Sequence, residues 1–230
     1  MTLAELTAEA NRLTRNTSVD ALWTDAEWAN FANWAEQEAC RRANLIWDRA
    51  TVNVARYSLA IGAAWTDMSA KLIEIERVTF AGVSLPYIAL EILDQTFPGW
   101  EALTDTPVFV TKQGRALRLY PKPKVAGDLI VHASRLPSAN LAVATPSGSP
   151  EIPAHLHLAL VDGMLHRAYL KNDSETYNKG ASDHHLAEFE RTFGLPIDVN
   201  RLYMPGERSN ELEQRQKNAR AEAYRQGRAS

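Results

Sequence analysis

Chemistry in this chain would have to be done by six histidines, one cysteine and a scatter of carboxylates, and their spacing decides how far each can be taken. His155 and His157 flank Leu156; on a helix they would point about 200 degrees apart and could not serve one site, unless they precede the first turn. Asp162 and His166, with Asp183, His184 and His185, could gather metal ligands across two helices. No HExxH or comparable ligand signature accompanies them. There is no GxSxG elbow, and the SGS at 147–149 stands in a proline-containing linker without an obvious base. Neither GxxxxGK[ST] nor GxGxxG occurs, so the phosphate-cradling loops are missing. Glu74, Glu76, Glu91 and Asp94 could act as acid and base only inside a pocket, and spacing alone selects none of them. Cys40, the single cysteine, permits no intramolecular disulfide or thiolate cluster and reads as a small buried residue. No catalytic residue, cofactor or metal is expected.

The elements that would position such residues are easier to read. Thr24 followed three residues later by Glu27 is a capping box and starts a helix. Trp23 before the cap and Trp28 after it have the placement of a hydrophobic staple. Trp28, Phe31, Ala35, Ala39 and Ile46 then recur at helical spacing, predicting one apolar stripe on a helix that reaches Trp47. Trp34, Leu45 and Trp47 lie off that stripe. The helix is therefore either packed on two sides within its own domain, or packed once inside and once against another molecule, with Trp34 and Trp47 as the candidate subunit contacts. Ahead of it, Leu3, Leu6, Ala10 and Leu13 predict a shorter helix.

After Trp47 the texture changes to short strands rich in Val, Ile, Thr and Tyr, with turn residues at close intervals from Gly82 to Gly127. Leu117 and Leu119 alternate with Arg118 and Tyr120, and Leu129, Val131 and Ala133 alternate with Ile130, His132 and Ser134. The reading is a hairpin closed by PKPKVAGD, held to a sheet edge by Pro121 and Pro123. Ser138–Pro150 is the best linker. Pro153 suits a first helical position, with Leu156, Leu160, Met164 and Ala168 forming a stripe behind it; Asp173 can cap a last helix carrying Leu186, Phe189 and Phe193 and stopped by Gly194 and Pro196. Gly163 and Gly180 inside these helices imply close approach of another backbone.

Helices, strands, then helices define an α+β fold: an antiparallel helical bundle with a β-rich insertion between its two halves and an extended C-terminal arm. The expected layout is a single domain over 1–205, helical at 1–47 and 151–195, with the insertion at 51–137 and the linker at 138–150, followed by the arm at 206–230. In the arm six lysines and arginines face four glutamates, and Leu212, Gln216, Ala219 and Ala223 would line one helix face. It has almost nothing to bury, so it is either a solvated tail or a segment ordered by a partner. With 45% apolar residues, 23% charged and a formal charge of -3, the whole is an ordinary soluble composition without the basic footprint of a general nucleic-acid binder. No signal peptide or run of eighteen apolar residues occurs, so a soluble chain made inside the cell, with no membrane contact, is expected.

The order of DAEWANFANWAEQEACRRA at 25–43, LDQTFPGW at 93–100, ALRLYPKP at 116–123, RLP at 135–137, EIPAHLH at 151–157 and the HRAYLKND-to-FERTFG run ending at Gly194 resembles the head-to-tail adaptor (connector) proteins of tailed bacteriophages. Each motif is a packing or turn pattern; the ordered set, spanning Leu22 to Gly194, carries the resemblance. It implies a virion structural protein without enzymatic activity, assembled in the host bacterial cytoplasm. Many copies, commonly twelve, would form a ring under the portal protein and a platform for tail or neck proteins, with genomic DNA passing through unbound. The C-terminal segment would reach the portal, making Leu212, Arg215, Gln216, Ala219, Arg220, Ala223 and Tyr224 the candidate portal contacts. Two other readings stand beside it: a hydrolase acting on cell wall or nucleic acid, which requires a pocket of converging ionisable groups, and a DNA-binding module using the arginine-rich tail.

Overall fold

The computed structural model describes residues 1–16, 21–197, 201–205 and 207. In chain order the elements are α1 (Leu3–Thr14), α2 (Asp25–Ala43), β1 (Trp47–Asp48), β2 (Arg56–Leu59), β3 (Thr66–Asp67), β4 (Leu72–Phe80), β5 (Val83–Leu85) and α3 (Leu90–Thr96). There follow β6 (Thr104–Asp105), β7 (Phe109–Gln113), β8 (Ala116–Tyr120), β9 (Lys122–Pro123), β10 (Gly127–Arg135), α4 (Leu160–Tyr169) and α5 (Lys179–Phe193), with 3₁₀ turns at Trp100–Ala102 and Ala154–Leu156. The fold is mixed α+β, with five α-helices and mainly antiparallel sheets among the described residues. It divides into two compact units, one built from Met1–Ile46 and Arg135–Pro196, the other from Trp47–Ser134 and the residues after Pro196.

The first unit is helical. α1 opens on a reciprocal box between Thr2 and Glu5 that the stripe alone did not announce. Its Leu3, Leu6 and Ala10 are buried, while Leu13 at the far end is exposed. α2 opens on the expected box: the Thr24 hydroxyl accepts from the Glu27 amide at 3.3 Å and the Glu27 carboxylate accepts from the Thr24 amide at 2.8 Å. The Trp23 and Trp28 rings meet at 5.5 Å, as a staple requires. The helix ends at Ala43 and does not reach Trp47, because Asn44 turns into the left-handed region at φ 53° and its amide closes on the Cys40 carbonyl. Pro153 precedes the 3₁₀ turn, not the first residue of α4. Asn178, not Asp173, caps α5; the Asp173 carboxylate is already taken by the Glu175 amide at 3.1 Å. Gly194, at φ 87°, ends α5 where the sequence placed the stop.

The 138–150 segment lacks regular structure but is tied down. Asn33 exchanges two hydrogen bonds with the Leu141 backbone, at 2.7 and 2.9 Å, and the α1 amides of Leu3 and Ala4 donate to Gly148 and Pro146.

The second unit is built on β10. Its sheet runs β1-β10-β4-β5, with β2 also paired to β10. Leu129, Val131 and Ala133 face the core as their alternation predicts, together with Ile75 and Val78 of β4. The expected β8–β10 hairpin does not form. β8 pairs antiparallel with β7 and β3 in a separate sheet, and the prolines that follow it lead into β9, which lies parallel to β6. Pro121 and Pro123 have no amide hydrogen to give a ladder, so the β8 strand cannot be continued into the turn of such a hairpin. Nor is the region all strand: Leu90–Thr96 is helical, burying Leu93 beside Trp100 and Tyr120.

Gly163 of α4 sets the tightest approach in the helical unit. A Cβ placed there would stand 2.8 Å from the Ala35 Cβ and 2.9 Å from the Phe189 ring. Alanine normally gains about 1 kcal/mol over glycine in a helix, yet neither neighbour is a flexible chain end, and overpacking costs about 1–3 kcal/mol. Gly163→Ala should therefore lower the unfolding free energy by about 1 kcal/mol in chemical denaturation; Gly180, with only Asn178 nearby at 3.7 Å, should accept alanine without that loss.

Candidate interaction surfaces

The side chains singled out for chemistry are drawn into separate structural bonds. In the helical unit His185 Nδ1 lies 2.9 Å from Asp162, bridging α5 and α4. His166 Nδ1 sits 2.9 Å from the Ser182 hydroxyl, and burial lowers its pKa. Asp183 binds Lys179 one turn away, and His184 is exposed. The residues that could have gathered as ligands are thus held apart, and among the described residues no three His, Cys, Asp or Glu side chains are grouped to hold a metal. His157 is buried with Nε2 2.8 Å from the Ile152 carbonyl, while His155 is exposed. In the second unit Asp94 accepts from the Trp100 indole at 2.8 Å, Glu91 borders a cleft with Tyr87 and Lys112, Glu76 borders another with Trp47, and Glu74 pairs along the backbone with Tyr203.

A polar cluster inside the helical unit was missed in the sequence. Glu36, 2% exposed, accepts from the Glu151 amide at 2.5 Å, and Glu151 in turn binds the Arg135 guanidinium. Burial raises the Glu36 pKa above the usual carboxylate range, while Arg135 holds that of Glu151 below it. Cys40 is pushed up to about 12 by burial, with Glu36 and Glu151 adding to the shift. The only available signal was a glutamate amid the alanines of the α2 stripe.

The two candidate contact tryptophans fall in different units. Trp34 is half-buried: its ring stacks on Phe189 at 6.2 Å, lies 5.7 Å from His166, and has the Arg167 guanidinium 5.2 Å above it. Trp47 is 54% exposed and stands on β1 beside a cleft of about 210 Å³ lined by Asp48, Arg49, Glu76 and His132. Burial and the neighbouring Arg77 and Arg49 lower the His132 pKa. The arm candidates Leu212, Arg215, Gln216, Ala219, Arg220, Ala223 and Tyr224 lie outside the described residues.

What is described is the root of that arm. Leu202, Tyr203 and Met204 are buried in the second unit, and Tyr203 runs beside β4. The Ile75 amide donates to the Tyr203 carbonyl at 2.8 Å, and the Tyr203 amide donates to Ile73 at 3.0 Å. Lys112 on β7 fastens the segment, its ammonium donating to the Leu202 carbonyl at 2.9 Å and to the Glu207 carboxylate at 2.7 Å. The residues before the arm are thus bound to β4 through a single bridge at Tyr203.

Surfaces of this kind, with an exposed aromatic and an anchored terminal segment, suit a structural protein that binds other proteins. Residues 1–210 match the sequence profile of the family described as SU10 adaptor protein, and the chain belongs to that family of phage head-to-tail adaptors. No curated protein matches the chain. Family membership implies a structural, non-enzymatic role in the virion and interaction with other virion components. No helix among the described residues is long and apolar enough to cross a membrane.

Two predictions follow from these bonds. Because the folded pKa of Glu36 is raised, its contribution is intact at acid pH and is lost as pH rises through that raised value. Glu36→Gln should therefore gain in melting temperature relative to the parent between pH 4.5 and pH 8, and a difference that stays constant would contradict this assignment. Lys112→Met should speed hydrogen exchange at the Ile75 amide and proteolysis near Arg201 while leaving the circular dichroism of the helices unchanged.

Proposed function

We propose that this adaptor assembles as a homo-oligomeric ring, a dodecamer by expectation, beneath the portal of the filled capsid and offers a platform to tail or neck proteins. The two units act as one adaptor body, with α1, α2, α4 and α5 as an antiparallel bundle and 138–150 as the linker that ties its halves. Residues 206–230 form the portal-binding arm, ordered on contact, with Leu212, Arg215, Gln216, Ala219, Arg220, Ala223 and Tyr224 as its contacts. Trp34 and Trp47 belong to the contacts between neighbouring subunits. The observation that carries this reading is the family match across both units. The exposure of Trp47 and the anchoring of Leu202–Met204 support it, because a ring needs contact surfaces and an arm under load needs a fixed root.

A conduit for DNA should not grip it. Phosphate contacts made by lysine and arginine give affinity through counterion release, and a formal charge of -3 provides little of that drive. The genome passes through the ring during packaging and ejection without specific binding, and the ring works without cofactor or reaction, in a virion assembled in the host bacterial cytoplasm.

A chain truncated after Glu207, which keeps the carboxylate that Lys112 binds, tests the arm. It should melt like the full chain but fail to co-sediment with purified portal, and portal binding at full strength by the truncated chain would refute the assignment. Trp34→Glu combined with Trp47→Glu should leave portal binding in place and prevent closed rings in electron micrographs.

A further inference from the structure

Beside the root of the arm, within the second unit, lies a cleft of about 420 Å³. Three stretches of chain line it: Tyr87, Leu90 and Glu91 where the chain enters α3, the end of β7 from Lys112 to Gly114, and Arg201 with Glu207. Its apolar part is open, with Tyr87 38% exposed and Leu90 half-buried. Lys112 and Arg201 both turn to Glu207, at 2.7 and 3.5 Å, whereas Glu91 carries no ion pair among the described residues. The cleft thus offers an apolar wall and one uncompensated carboxylate.

The main chain of β7 is open at the same place. The Val110 amide donates to the Pro86 carbonyl at 3.0 Å and the Val110 carbonyl accepts from the Ile88 amide at 2.9 Å, so 86–88 covers this edge of the strand. Alternate residues of a strand present their amides and carbonyls to the same edge, which turns those of Lys112 the same way. There the covering chain has already left for α3, which starts at Leu90. A further stretch of extended chain would complete the edge.

We infer that Arg208–Leu212 of the same chain fill this cleft while the subunit is free of portal, with Leu212 against Tyr87 and Leu90 and Arg208 facing Glu91, so that the arm is stored on its own body until the portal takes it. The inference rests on the reading of 206–230 as the portal arm and makes Leu212 serve the two surfaces in turn. The course of the chain supplies the occupant: Glu207 itself lines the cleft, and the residues that follow must start there. Leu212 is the first apolar residue after it, within roughly 16–18 Å of extended chain. In such a chain 208, 210 and 212 share a face and Glu211 takes the other, so the arginine and the leucine meet the cleft together while the added carboxylate stays away from Glu91. A tethered segment is present at a roughly millimolar effective concentration, so a contact too weak to hold a second copy in dilute solution holds this one.

Hydrogen exchange at the Lys112 amide, followed by NMR, tests it in the full chain. The amide should be protected in the parent and exchange about tenfold faster in a chain truncated after Glu207, and equally in Leu212→Glu, Glu91→Arg or Arg208→Glu. Joining Glu91→Arg with Arg208→Glu should restore protection, since the pair is then reversed and not removed. Dilution by about a hundredfold should leave the parent protected. Glu91 is exposed, so Glu91→Arg should melt like the parent; it keeps every proposed portal contact and should bind purified portal several-fold more tightly, because no stored contact has to be broken first. Equal exchange in the parent and truncated chains overturns the storage of the arm, and leaves the arm reading standing where the truncated chain still loses the portal. Protection that fades on dilution assigns the cleft to the arm of a second copy and overturns it too, as does a reversed pair that recovers nothing or a Glu91→Arg chain that binds portal no more tightly. Portal binding at full strength by the truncated chain sinks the arm reading and the handover with it, even where the cleft is filled.

Discussion

The helical unit depends on one close approach, that of α2 and α5 to α4 across a position without a side chain. Gly163 lets the Ala35 methyl and the Phe189 ring reach the α4 backbone, and the other contacts follow from that spacing. Phe189 can then stack on Trp34, and Arg42 can lie 5.3 Å over the Phe189 ring while binding Glu38 at 2.8 Å and the Gly194 carbonyl at 3.1 Å. A buried guanidinium is costly unless paired and hydrogen-bonded, and here the carbonyl at the end of α5 and two glutamates supply those partners. The last turn of α5 is thereby tied to α2, and small residues at the seam place charged ones where they can be satisfied.

The second unit solves a different problem. Its sheets are open, and an unpaired strand edge invites pairing with other chains. β4, the long strand beside β10, is covered by β5 along Val78–Phe80 and by Tyr203 beside Glu74. The segment that does this arrives from far along the sequence, carries three buried apolar side chains and is fastened by Lys112. Leu202–Met204 thus covers part of the β4 edge that β5 leaves open.

Much of the helical unit was legible because its signals are local. The Thr24–Glu27 box, the Trp23–Trp28 staple and the Gly194 stop each involve residues within one turn of each other, and each is where its spacing placed it. The alternation of Leu129, Val131 and Ala133 was equally readable, since period two has only one buried face to choose. Partners were not legible. Nothing in ALRLYPKP states that β8 would pair with β7 and β3, and alternating residues on both sides of a turn look the same whether or not the strands meet. α3 is seven residues long and is preceded by Ala89, which offers no side-chain cap, so it left no mark of its type. Leu202–Met204 is too short to display a period. Trp34 and Trp47 stood off the stripe for different reasons, one because it faces α4 and α5, the other because the helix had already ended.

Cys40 gives the chain a built-in report on its own integrity. Its thiol is wholly buried and pushed up to about 12, so alkylating reagents that need an exposed thiolate find none at neutral pH. Fluorescent maleimides can therefore be steered to a cysteine introduced elsewhere without mutating the native one. Any labelling of Cys40 itself would register the opening of the α2 seam, which makes this sulfur a gauge of whether the folded helical unit yields.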